Sequence, residues 1–92
     1  MSIAWTVNGL AAVIAAKGDF ERAATLNGMA AAMLKRAGGE WPPDERKQYN
    51  DTLAAVTNGL TRDELERARA HGAAMTTDAA VAYALTEGAH DT

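Results

Sequence analysis

Alanine dominates the apolar side chains of this chain, in runs broken at intervals by glycine, and that pattern constrains the fold more than any other feature. Alanine is the strongest helix former because its methyl group loses no rotamer freedom in a helix. Few stretches alternate β-branched and polar residues as a half-buried strand would, so helix is the only regular structure expected. Small side chains also let helix backbones approach one another closely. With 48% hydrophobic and 23% charged residues, the chain is apolar enough to fold. Its 92 residues suit one helical domain.

Helix boundaries can be read from caps and breakers. The first helix is expected from Ser2 or Ile3 to Lys17, with Ile3, Val7, Leu10 and Ile14 on one stripe and Gly18 as its stop. Asp19 can cap a second helix that turns Phe20, Ala23, Leu26, Met29, Ala30, Met33 and Leu34 inward and ends at Gly38-Gly39. Gly28 falls inside that pattern, where it costs about 1 kcal/mol relative to alanine, so close helix contact is its expected use. Pro42-Pro43, followed by Asp44 and Glu45, suits the start of a third helix carrying Tyr49, Leu53, Val56 and Leu60. Thr61-Arg62-Asp63-Glu64 spells a capping box for a fourth helix, expected to run to about His71 and to end at Gly72. Thr76 and Asp78 can start a short fifth helix with Ala80, Val81, Ala84 and Leu85 inward, leaving residues 88–92 as a frayed tail. The loops are short, so sequential helices are expected to pack as antiparallel neighbours.

A second apolar stripe on the first helix, made by Trp5, Ala12, Val13 and Ala16, lies nearly opposite the first. One packed neighbour cannot cover both, and two are needed.

The formal charge of −3 argues against nucleic-acid binding by phosphate neutralisation, since the nine Lys and Arg are scattered among acidic residues. The absence of cysteine excludes disulfides and thiolate metal sites, and fits a reducing cytoplasm. The apolar run from Leu10 to Ala16 has no basic segment before it and is interrupted by Lys17-Gly18-Asp19, far short of a membrane span. A cytoplasmic location is expected, with no membrane association.

Catalytic material is sparse. His71 and His90, with Glu87 and Asp91, could be imagined as a metal cluster, but their spacing is unlike a zinc motif; His71 reads instead as a residue favoured near a helix C-terminus. Asp44, Glu45, Asp63, Glu64 and Glu66 sit in first turns and on solvent faces, where capping explains them. Ser2 is the only serine, so a nucleophile–histidine constellation has almost no components. No catalytic residue, cofactor or metal is assigned. Trp41 before Pro42-Pro43 reads as a hydrophobic staple near Gln48 and Tyr49, with surface recognition as the alternative. Met29 and Met33 read as core, although with Asn27 and Tyr49 they could also line a small-ligand pocket between the second and third helices.

The segment Gly9 to Ala30 resembles a tetratricopeptide-type unit: Leu10, Ala11 and Ile14 precede Gly18-Asp19-Phe20, and Ala23 and Ala30 follow. Asn27 stands where that repeat usually has an aromatic, and no second copy follows at a period of about 34 residues. Residues 1–38 would be this tetratricopeptide-like hairpin, and 42–87 three further helices. Nearly the whole chain is similar to the C-terminal helical segment of bacterial LuxR-type and ATPase- or cyclase-linked regulators. The match runs through Gly9-Leu10-Ala11-Ala12, Gly18-Asp19, Glu21-Arg22-Ala23-Ala24, Leu26 and Gly28-Met29-Ala30. It continues with Trp41-Pro42-Pro43-Asp44-Glu45-Arg46, Tyr49, Ala70-His71-Gly72, Thr76 and Ala80-Val81-Ala82-Tyr83-Ala84-Leu85.

That resemblance implies an all-α, non-enzymatic module of a signalling or transcription regulator, working by protein–protein interaction or oligomerisation. DNA binding and nucleotide hydrolysis would belong to other domains, since the chain holds neither a Walker-type glycine loop nor a basic recognition helix. In such proteins the first helix packs against a preceding hairpin. Here the face formed by Trp5, Ala12, Val13 and Ala16 is therefore expected to be buried in a homodimer or against a protein partner. The alternative function is small-ligand sensing through Asn27, Met29, Met33 and Tyr49.

Overall fold

The computed structural model describes residues 3–75 together with 78, 79, 82 and 83. Four helices follow one another: α1 (Ile3–Ala16), α2 (Phe20–Arg36), α3 (Pro43–Gly59) and α4 (Arg62–Ala73). Among the described residues there is no strand. Asp78, Ala79, Ala82 and Tyr83 also carry helical backbone; the rest of the expected fifth helix, including Ala80, Val81, Ala84 and Leu85, and the tail 88–92 lie outside the described residues.

Local chemistry sets the boundaries much as the sequence suggests. Gly18 turns the chain after α1 at φ +87°, and Gly38 does so after α2 at φ +70°, a left-handed conformation that glycine adopts without a β-carbon clash. The Asp19 carboxylate accepts from the Arg22 backbone N–H at 3.4 Å. Pro43 opens α3, with Asp44 and Glu45 in its first turn. The capping box of α4 is complete: Thr61 Oγ1 accepts from Glu64 N at 3.2 Å, and Thr61 N donates to Glu64 Oε1 at 2.9 Å. These bonds from Thr61 hold the Glu64 carboxyl below its ordinary value of 4.5, because they favour the ionised form.

α2 is the hub. Every residue from 23 to 30 is buried, so this stretch is enclosed on all sides rather than on one stripe. It packs most extensively on α4 and on α1, and also on α3, while the consecutive helices α3 and α4 barely touch. The expectation that sequential helices are each other's main neighbours therefore fails for α3 and α4.

Two glycines explain why α4 crosses α2 instead. A β-carbon on Gly28 would lie 2.7 Å from Arg69 Cα and closer still to the Arg69 carbonyl oxygen. One on Gly72 would overlap the Thr25 carbonyl oxygen and lie 3.0 Å from the Met29 amide nitrogen. At this crossing backbone meets backbone, which only glycine permits. The close-contact reading of Gly28 is thus met. The reading of Gly72 as the end of α4 is corrected: the helix continues to Ala73, and Gly72 is a buried contact residue within it.

The side chains of Leu26, Met29, Val7 and Val56 are enclosed almost completely, each favouring the fold by about 1.5–3 kcal/mol over leaving it exposed. Trp41 stacks on Tyr49 with ring centroids 5.5 Å apart, as a staple over the start of α3 should. Beyond the glycine crossing, Arg36 at the end of α2 donates from Nη2 to the carbonyls of Ala73 at 2.8 Å and Met75 at 3.2 Å. The last turn of α4 thereby gains both hydrogen-bond partners and a cation at its negative end.

Candidate interaction surface

None of the fourteen residues of α1 carries a charged side chain, an unusual composition for a helix that is not enclosed. Its inner face buries Ala4, Val7, Ala11, Ile14 and Ala15 against α2 and α3. Asn8, fully buried, ties α1 to the first turn of α3: its Nδ2 donates to the Glu45 carbonyl and to Glu45 Oε2, each at 3.2 Å. Its Oδ1 is buried without a partner among the described residues. The side chain of Ile3 lies outside the described residues.

α1 has two neighbours, α2 and α3, and they leave much of the second stripe uncovered. Trp5 is 39% exposed and Val13 50% exposed, the only large hydrophobic side chains so placed among the described residues. Ala16 is exposed and Ala12 half-buried. Successive residues advance by about 100° around a helix, so Trp5, Ala12 and Ala16 form one edge of the outer face, Val13 the other, and Gly9 its midline. Among the described residues, a β-carbon on Gly9 would meet nothing within 4 Å.

Beside the Ala12–Ala16 edge, α1 and α3 border an open surface hollow of about 450 Å³ whose apolar part comes from Ala12, Ala15, Ala16 and Ala55. Asp44, Lys47 and Asp51 stand on its α3 side. Lys47 donates to Asp51 at 2.7 Å with both side chains well exposed; that bond holds the Lys47 ammonium above its ordinary 10.5. Exposed i,i+4 pairs contribute little to stability, so this pair offers a polar rim rather than a clamp.

The second set of candidate residues is placed differently. Asn27, Met29 and Met33 are buried, while Tyr49 is half-buried under Trp41. The four do not line any of the four principal surface hollows. Asn27 and Tyr49 are instead joined through Arg69, a residue sequence reading passed over. Arg69 Nε donates to Asn27 Oδ1 at 3.1 Å and Arg69 Nη2 to the Tyr49 hydroxyl at 2.7 Å, while Asn27 Nδ2 donates to the Tyr49 carbonyl at 3.5 Å. This network joins α2, α3 and α4 and satisfies a buried amide that would otherwise cost about 1–3 kcal/mol.

His71 is exposed in the last turn of α4, and His90, Glu87 and Asp91 lie outside the described residues. Among the described residues no cluster of three or more His, Asp or Glu is arranged to hold a metal ion, and none of their helices is long and apolar enough to cross a membrane. No family model, no curated protein and no solved structure matches this chain.

Proposed function

We propose that this chain is a non-enzymatic helical module that acts by protein–protein interaction or oligomerisation through the outer face of α1. One observation carries the reading. A helix without a single charged side chain leaves Trp5 and Val13 in water, although every other helix presents charged residues on its exposed side. Apolar surface exposed in a contiguous patch favours association because covering it removes it from water, and a large aromatic is the side chain that most often anchors such contacts. The sequence resemblance to the C-terminal helical segments of LuxR-type and ATPase- or cyclase-linked proteins is what suggests a role within a cytoplasmic bacterial signalling or transcription regulator.

A photo-crosslinking residue at position 13, compared with one at the charged, exposed position Glu66, tests the reading in cells that make the protein. The expected result is a discrete adduct from position 13, lost in the Trp5→Asp background, and none from position 66. Equal and diffuse labelling from both positions would contradict it.

A further inference from the structure

The geometry of α1 points to the occupant of this face: a second copy of the same chain, packed antiparallel to α1 across a two-fold axis at Gly9. This inference rests on the reading of the face as a docking surface and specifies its partner. Gly9 is the first observation. A glycine within a helix costs about 1 kcal/mol relative to alanine, and Gly28 and Gly72 return that cost by letting α2 and α4 touch. Gly9 returns nothing among the described residues: its φ is not positive, and a β-carbon there would meet none of their atoms within 4 Å. A second helix approaching the midline of the exposed face would use the missing side chain, as α4 uses Gly28.

The pattern around Gly9 is also self-complementary. A two-fold interface pairs each residue with its symmetry mate, so any charge on the axis would face its like; α1 carries no charge. Trp5 and Val13 stand four residues to either side of Gly9. A two-fold axis perpendicular to both helices carries Trp5 of one copy to the level of Val13 on the other, on the edge formed by Ala12 and Ala16. That edge borders the hollow of about 450 Å³ to which Ala12, Ala15, Ala16 and Ala55 contribute the apolar part. Each copy thus supplies one exposed indole and one recess with alanines on its α1 side and polar residues on its α3 side, where Asp44 and Asp51 can accept from the indole N–H. The match is reciprocal, as an isologous dimer needs.

Sedimentation equilibrium over a concentration series, combined with two substitutions at Gly9, tests the arrangement. The wild-type chain is expected to dimerise reversibly in the micromolar range. Gly9→Gln places a long side chain where the subunit has room, so circular dichroism stays unchanged while the dimer dissociation constant rises more than about tenfold, the equivalent of about 1.4 kcal/mol. Gly9→Cys sits on the axis in a chain with no other cysteine, so mild oxidation is expected to link two copies, whereas Glu40→Cys, in the exposed loop after α2, gives no more than random cross-linking. A wild-type chain that stays monomeric to hundreds of micromolar overturns the second copy as occupant, and does so even if position 13 crosslinks to a different protein, which would leave the docking reading standing. A wild-type dimer unaffected by Gly9→Gln, or Gly9→Cys linking no better than Glu40→Cys, overturns the axis at Gly9.

Discussion

Replacing Gly72 by alanine separates the two energies that glycine carries in a helix. Propensity alone favours alanine by about 1 kcal/mol. Against this, the new methyl would overlap the Thr25 carbonyl oxygen and sit 2.9 Å from the Thr25 carbonyl carbon and 3.0 Å from the Met29 amide nitrogen. All three are backbone atoms of α2, so no side chain can rotate aside, and the helices must move apart. Overpacking of a close-packed contact costs about 1–3 kcal/mol, and a wholly backbone clash belongs at the upper end. The net expectation is a loss of about 2 kcal/mol, which for a domain of this size lowers Tm by roughly 8–16 °C. Thermal and urea unfolding followed by circular dichroism would read it, with Gly9→Ala in the Trp5→Asp background as the counterpart expected to gain up to about 1 kcal/mol. A Gly72→Ala variant as stable as wild type, or more so, would show that α2 and α4 are not in backbone contact and would refute the crossing.

Three further predictions concern polar contacts. Asn8→Asp should destabilise by about 3 kcal/mol or more at neutral pH, because it buries a carboxylate against Glu45, and urea titrations should show the deficit shrinking in acid as the introduced carboxyl is protonated. Tyr49→Phe keeps the stack with Trp41 but removes the acceptor of the Arg69 bond, an expected loss of about 1.5–3 kcal/mol that a matched Arg69→Met background should reduce in a double-mutant cycle. Glu64, whose carboxyl is held below its ordinary value of 4.5 by its bonds to Thr61, contributes capping stability that is fully present above that value and lost as pH falls through the folded-state value. The Glu64→Ala penalty measured at pH near 7 should therefore diminish toward pH near 3.

What the sequence revealed and what it hid divides by range. The caps at Asp19 and Thr61, the turns at Gly18 and Gly38 and the proline start of α3 are settled by residues within one helical turn, and local spacing was enough to find them. The second stripe of α1 was legible for the same reason, because 3.6-residue periodicity shows which positions share a face; on α2 periodicity found Ala23, Leu26, Met29, Ala30 and Met33 but not the enclosure of Ala24, Thr25 and Asn27 on the other sides. Gly72 was misread because a glycine shortly after His71 looks like a terminator unless one knows that the Thr25 backbone lies against it. Nothing near residue 72 in sequence carries that information. The same holds for Arg69, which joins Asn27 and Tyr49 across separations of 42 and 20 residues, and for Asn8 with Glu45, 37 residues apart. Asn27 attracted notice as a possible pocket residue standing where the tetratricopeptide repeat usually has an aromatic, yet its partners required the fold. The exposure of Trp5 and Val13 was also a tertiary fact, because it depended on how far α2 and α3 reach around α1.

The emission of Trp5 tests the central claim, that the outer face of α1 is covered by a second copy, most directly. In the Trp41→Phe variant it is the sole tryptophan, and the substitution keeps an aromatic ring on Tyr49. The account predicts blue-shifted emission and weak acrylamide quenching at high concentration, passing on dilution to the red-shifted, readily quenched emission of an exposed indole, with a midpoint matching the dimer dissociation constant. Emission that stays red-shifted and fully quenchable at every concentration would contradict it.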